Sequence, residues 1–382
     1  MILKQIPEDF RVDEVYDLEH LKNQEEEIAN PRFHYFILTK KDYTVNRAIE
    51  QICRSFKIQI RDVHFAGTKD RQAISTQLIS LRRLRHGWEE DVRKFNEHFN
   101  DLKLEFVGMF PRRLALGDNI GNKFTITLRD LTNEEIEIMK KNFSKIQKKG
   151  VLNYFDSQRF GFMGKNPVIG KYLLRGDFEK ALFNILIAAP ENRKEEHDKF
   201  IKYLEENWKE IVKENKWDEV IKKIPSWLNQ EIVLLEHLKK YKNDFLGAIS
   251  LLQKKIRTMY VYSYQSYLFN ETLKFLDKKG EAENYEELKL VSSESVLDGE
   301  IEELTKHLLS LDGLNLKSFE MPRSPTLKPK EVLRKVWVDV KNLKIIEIAD
   351  DELNSKKQKV VLSFELGSGE YATNVIKCLF EE

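Results

Sequence analysis

Asp70 lies in the segment Val63–Gln77, VHFAGTKDRQAISTQ. An apolar run leads straight into a turn of small residues, and the turn presents Thr68, Lys69, Asp70 and Arg71. Polar groups at the end of a core strand stand on a rigid base. Two cations flank Asp70, which favours its ionised form. An ionised carboxylate can act as nucleophile or general base. The same residues also suit an ordinary surface turn with Asp70 in an ion pair, and spacing alone favours that plainer reading.

Three other segments mix residue types that suit nucleic-acid contacts. Gly121-Asn122-Lys123-Phe124 leads into FTITLR; Asn153–Gly161 reads NYFDSQRFG; Ser263–Asn270 reads SYQSYLFN. Aromatic rings beside amide and guanidinium groups can stack on bases and bond base edges or phosphate. Each can equally be core, and for SYQSYLFN packing of Tyr264, Leu268 and Phe269 is the stronger expectation. Metal chemistry is not expected: the eight histidines lack ligand spacing, and Cys53 and Cys378 have no CxxC partner. No GxxxxGK[ST], GxGxxG or HExxH occurs.

The 382 residues suit two domains or three, and 41% hydrophobic content supports packed cores. The formal net charge is only +1, which hides an uneven distribution. From Arg47 to Trp88 nine basic residues face three acidic ones, a local excess of +6 that includes Arg82 and Arg83. Acidic surplus lies elsewhere, at Glu25–Glu27 and Glu300–Glu303. One basic face able to track a phosphate backbone is therefore expected, against the alternative of scattered solvated arginines. The N-terminal residues show no signal-peptide core, and the most apolar run, Leu182–Pro190, is too short to span a bilayer. A soluble, cytoplasmic protein is expected.

The elements that must position these residues are mixed in the first 150. Strands are predicted at Phe33–Leu38, Val63–Ala66, Gln77–Leu81, Leu104–Phe110 and Lys123–Leu128. Thr44 should cap a helix whose buried stripe is Val45, Ala48, Ile49, Ile52, Cys53 and Phe56, and Thr132 should cap another across Leu131–Lys149. Helices then dominate, at Phe178–Ala189, His197–Lys213, Ile232–Lys240 and Ile256–Lys278. Strand patterns return at Leu343–Ile348 and Val360–Phe364. A sheet interrupted by a helical insertion explains this order, because a 40-residue tail could hardly fold alone.

Five segments in order resemble the TruD family of tRNA pseudouridine synthases: IPEDFRVDEV (Ile6–Val15), FAGTKDRQAISTQ (Phe65–Gln77), GNKFTITLR (Gly121–Arg129), NYFDSQRFG (Asn153–Gly161) and FELGSGEYATNVI (Phe364–Ile376). SYQSYLFN resembles a sixth. The resemblance spans nearly the whole chain. It implies an α+β fold: a pseudouridine-synthase catalytic domain, residues 1–152 and 339–382, with a mixed, largely antiparallel sheet flanked by helices. A helix-rich TRUD domain, residues 153–338, is inserted into it.

The resemblance also implies the reaction. A uridine of tRNA, typically at position 13, becomes pseudouridine when its base leaves C1′ through N1, turns, and rejoins through C5. No metal or cofactor takes part, and a monomer with tRNA as partner is expected. Asp70 matches the family's catalytic aspartate, and Lys4 matches a lysine expected to pair with it. Phe10, Asn122, Phe124 and Tyr371 match the uridine pocket, Tyr371 standing where bacterial members often have Phe. Asp70 could attack C1′, attack C6 or abstract the 2′ proton. Lys69, Arg71, Arg82, Arg83 and Arg159 are candidates for the RNA backbone. Two rivals stay open: another RNA base-modifying enzyme with an aspartate nucleophile, and a non-catalytic RNA-binding module.

Overall fold

The structure is a computed structural model that describes residues 1–23, 33–161, 163–188 and 194–381. Glu25–Glu27 and the last two residues of the apolar run Leu182–Pro190 lie outside the described residues. The chain forms two compact units. One joins Met1–Val151 to Trp337–Glu382, and the other is Leu152–Val336.

The first unit is built on a nine-stranded sheet. Its strands are β1 (Ile2–Leu3), β2 (Phe10–Val15), β3 (Phe33–Lys41), β4 (Val63–Phe65), β5 (Ile74–Arg82), β6 (Leu102–Phe110), β7 (Gly121–Leu131), β8 (Lys341–Asp350) and β9 (Gln358–Gly367). The order is β8-β9-β7-β2-β5-β3-β6, with β1 paired to β7 and β4 to β5. Only the β2–β5 pair is parallel among these pairings; the others are antiparallel. β2 shows why the sheet has a buried face: in FRVDEV, Phe10, Val12 and Glu14 alternate with more exposed residues.

Helices cover the sheet. α1 (Val45–Phe56) begins where the Thr44 hydroxyl accepts the Arg47 N–H at 3.2 Å. It buries Val45, Ala48, Ile49, Ile52, Cys53 and Phe56, the stripe read from the sequence. With α2 (Trp88–His98) it packs on Phe36, Leu38, Ile79 and Leu81. α3 (Asn133–Lys149) and α4 (Ala372–Leu379) close a second core around Phe10, Val12, Phe124, Ile126 and Phe364.

The second unit is helix-rich and has its own core around Trp217, Leu235, Val261 and Phe319. Its central helix, Lys254–Lys279, carries SYQSYLFN, with Tyr264, Leu268 and Phe269 buried. The neighbouring helix Lys165–Arg175 crosses it at Gly170, where a Cβ would stand 2.2 Å from the Tyr260 carbonyl oxygen. Only glycine allows that approach.

Candidate active site

Asp70 sits in the loop between β4 and β5, with its side chain 43% exposed. Lys4 follows β1 and adopts a left-handed backbone, φ 60°. Its ammonium meets Asp70 Oδ2 at 2.6 Å. The Gln72 amide donates to the Lys4 carbonyl at 2.8 Å, tying the two segments together a second time. Among the described residues Asp70 Oδ1 has no hydrogen-bond partner.

The Lys4 ammonium also lies over the Phe10 ring, 4.1 Å from its centroid. Such a contact between a cation and a ring face is attractive. Phe10 meets Phe124 edge-on at 6.1 Å, and Phe124 stacks on Phe364 at 5.5 Å. Sheet register explains this row. Val12 and Phe364 flank Phe124 on either side, and Glu14 and Leu366 flank Asn122. Paired residues share a face, so Asn122 lies on the face of Phe10 and Phe124. Among the described residues, the buried Asn122 Oδ1 has no hydrogen-bond partner, an unmet demand that a ligand donor could satisfy. Phe10 and Phe124 are only 4% and 7% exposed, so they form a floor rather than a stacking surface.

Tyr371 is half-buried and caps the start of α4, after a turn in which the Gly367 N–H donates to Glu370 Oε2 at 2.6 Å. That turn leaves the sheet where Gly367 pairs with Gly121, beside Asn122.

The cations adjacent to Asp70 in sequence do not serve it. The Lys69 side chain is 7% exposed and its ammonium binds Glu14 Oε1 at 2.7 Å, while Glu14 Oε2 accepts the Leu78 N–H at 2.9 Å. Lys69, a candidate for the RNA backbone, is half of a buried ion pair in this structure. Arg71 turns outward and meets Asp42 at 3.2 Å. A residue overlooked in the sequence takes the inner side: the Lys40 ammonium donates to the Asp70 main-chain carbonyl at 2.6 Å. Burial pushes the Lys40 ammonium down to about 8. The signal was present in the alternation of β3, which puts Lys40 in the inward row of Phe36 and Leu38.

Comparison with known proteins decides the family. The family model described as "tRNA pseudouridine synthase D (TruD)" matches residues 1–287 and 285–379. This chain belongs to the TruD family. A protein of Methanocaldococcus jannaschii named "Probable tRNA pseudouridine synthase D 2" is 32% identical, over 100% of this chain and 92% of its own length. The tRNA pseudouridine synthase D of Aquifex aeolicus is 29% identical over 99% of this chain and 97% of its own. The crystal structure of a Methanosarcina mazei protein assigned as TruD superposes with a TM-score of 0.78 at 25% identity, covering 99% of this chain and 93% of that one.

Elsewhere in this TruD chain, the remaining basic candidates are spread out. Arg82 ends β5 with its guanidinium 5.8 Å from the Phe33 ring centroid, and Arg83 lies 3.7 Å from Asp62 and is 58% exposed. The eight steps along β5 from Ile74 to Arg82 span roughly 27 Å at 3.4 Å per residue. Arg82 and Arg83 thus stand at the end of β5 away from the Asp70 loop, and Arg47 and Arg54 of the +6 window lie on α1. Arg159 belongs to the second unit, where its Nε donates to Ser266 Oγ at 3.0 Å and its guanidinium lies 5.5 Å from the Phe155 centroid. Among the described residues no group of three or more His, Cys, Asp or Glu could hold a metal ion, and no helix is long and apolar enough to cross a membrane.

Proposed function

We propose that this TruD protein converts a uridine of tRNA, at position 13, into pseudouridine with Asp70 as the catalytic carboxylate. The observation that carries this reading is the Lys4–Asp70 pair, set against the row of Phe10, Phe124 and Asn122. Lys4 neutralises Oδ2 and leaves Oδ1 for the nucleotide. Attack at C1′, attack at C6 and removal of the 2′ proton all start from an ionised oxygen held against a nucleotide taken out of its stack. The uracil N3–H suits Asn122 Oδ1, Phe124 lines the base, and Tyr371 stacks on it. The net change is an isomerisation: the N1–C1′ bond breaks, a C5–C1′ bond forms, and the C5 proton is exchanged for one on N1.

The unit formed by 1–151 and 337–382 acts as the catalytic domain, and Leu152–Val336 as the inserted TRUD domain. The protein acts in the cytoplasm as a monomer, with tRNA as partner and no metal or organic cofactor. Asp70→Asn is expected to abolish tritium release from tRNA carrying 5-tritiated uridine while tRNA binding is largely kept. An active Asp70→Asn protein would overturn the role of Asp70. A wild-type protein that binds tRNA but forms no pseudouridine would instead favour a binding module.

A further inference from the structure

Lys40 stands in the inward row of β3, and none of its surface reaches solvent. Among the described residues no carboxylate lies within ion-pair distance of it. Its ammonium donates to the main-chain carbonyl of Asp70, at 2.6 Å. The charges that act on it are Asp70, Lys69 and Asp42, and Lys4 pairs with Asp70 Oδ2. The end of β3 grips the same loop twice more: the Asp42 N–H donates to the Ala73 carbonyl at 3.2 Å, and Arg71 Nε donates to Asp42 Oδ1 at 3.2 Å. A buried cation without a carboxylate partner destabilises a fold. A destabilising group held against a reactive loop marks function.

We propose that Lys40 is a positioning residue for catalysis, fixing the Asp70 main chain from inside the sheet so that its carboxylate meets Lys4 and presents Oδ1. This rests on Asp70 being the catalytic carboxylate. Lys40 touches neither base nor ribose; it acts through the loop.

Two effects are expected to separate in Lys40→Met, which removes the ammonium and nearly keeps the volume. The single-turnover rate falls tenfold or more, with tRNA affinity within twofold of wild type. The unfolding midpoint stays level or rises, because a buried charge is gone. The pH profile gives a second signature. Ordinary carboxylates and lysines hold their charge between pH 7 and 9, whereas Lys40 loses its proton near 8. The wild-type rate is therefore expected to fall through that range, and the Lys40→Met rate to be low and flat. Lys41→Met, one residue along and paired with Glu8, is expected to keep the wild-type rate.

A wild-type rate in Lys40→Met would overturn the inference. So would a lost rate matched by a lower unfolding midpoint or by failure to fold, since either would make Lys40 merely structural. Asp70→Asn measured alongside separates the two claims. If it is active, the reading of Asp70 fails; if it is inactive while Lys40→Met is fully active, only the role of Lys40 fails.

Discussion

Arg129 is 4% exposed and meets Asp9 at 2.8 Å, Asp351 at 2.9 Å and Glu352 at 3.0 Å. It ties β7 to the turn before β2 and to the turn between β8 and β9. Arg129→Met would leave Asp9 and Asp351 buried without their cation, at a cost of about 3–5 kcal/mol. Denaturant unfolding followed by tryptophan fluorescence would measure it. Burial pushes the Asp351 carboxyl up. Hydrogen bonds from Asn354, from the Asp130 and Leu353 N–H groups and from Arg129 outweigh this and hold it well below the usual range. A carboxyl lowered in the folded state contributes stability that is complete above its unfolded pKa of about 3.9 and is lost as pH falls below it. Stability of the sheet-bearing unit is thus expected to decline below about pH 4, and less steeply in Asp351→Asn. At Gly121 a Cβ would stand 2.2 Å from the Leu366 carbonyl oxygen. Gly121→Ala must push β9 away beside Asn122 and the turn to Tyr371, and overpacking of this kind costs about 1–3 kcal/mol.

Two helix starts are legible because a capping threonine, Thr44 or Thr132, precedes a periodic apolar stripe. Thr132 is such a case: its hydroxyl accepts the Glu135 N–H at 3.2 Å, and Glu135 accepts the Thr132 N–H at 2.8 Å. Thr132→Ala is expected to lose about 1 kcal/mol of stability in equilibrium unfolding, with activity unchanged below the transition. Other elements gave no such signal. Trp88–His98 buries only Asp91 and Phe95, too few for an apolar stripe to mark a helix in the sequence. Lys165–Arg175 starts at a glycine without a side-chain cap and holds Pro167 and Gly170, all of which read as breakers. The site divided along the same line. The strand-to-turn run of VHFAGTKD is local, so the exposed loop carrying Asp70 could be read from sequence. The partners of Lys69 and Lys40 are set by sheet pairing across tens of residues, and no local pattern discloses them.

Along the whole chain, near-neutral charge averages over local runs of opposite sign. Arg82 and Arg83 stand a strand's length from Asp70, so any phosphate they meet is remote from that carboxylate. Replacing both with glutamine is expected to weaken tRNA binding and flatten its logarithmic salt dependence by up to about 1.8, at about 0.9 per phosphate contact on a duplex. Binding isotherms between low and physiological salt would show this, while the single-turnover rate on saturating tRNA stays unchanged. The pairing of β9 with β7 has a consequence for biosynthesis. The 226 residues numbered 132–357 separate the two strands in the chain. At about 5–20 residues per second, β7 leaves the ribosome roughly ten to forty-five seconds before the strand that covers its edge. The second unit, with its own core, is synthesised complete within that interval. During that delay the growing chain carries an open strand edge, the kind of surface that invites wrong pairing. Elongation speed between β7 and β9, rather than equilibrium stability, would then set how much of this enzyme reaches its native state.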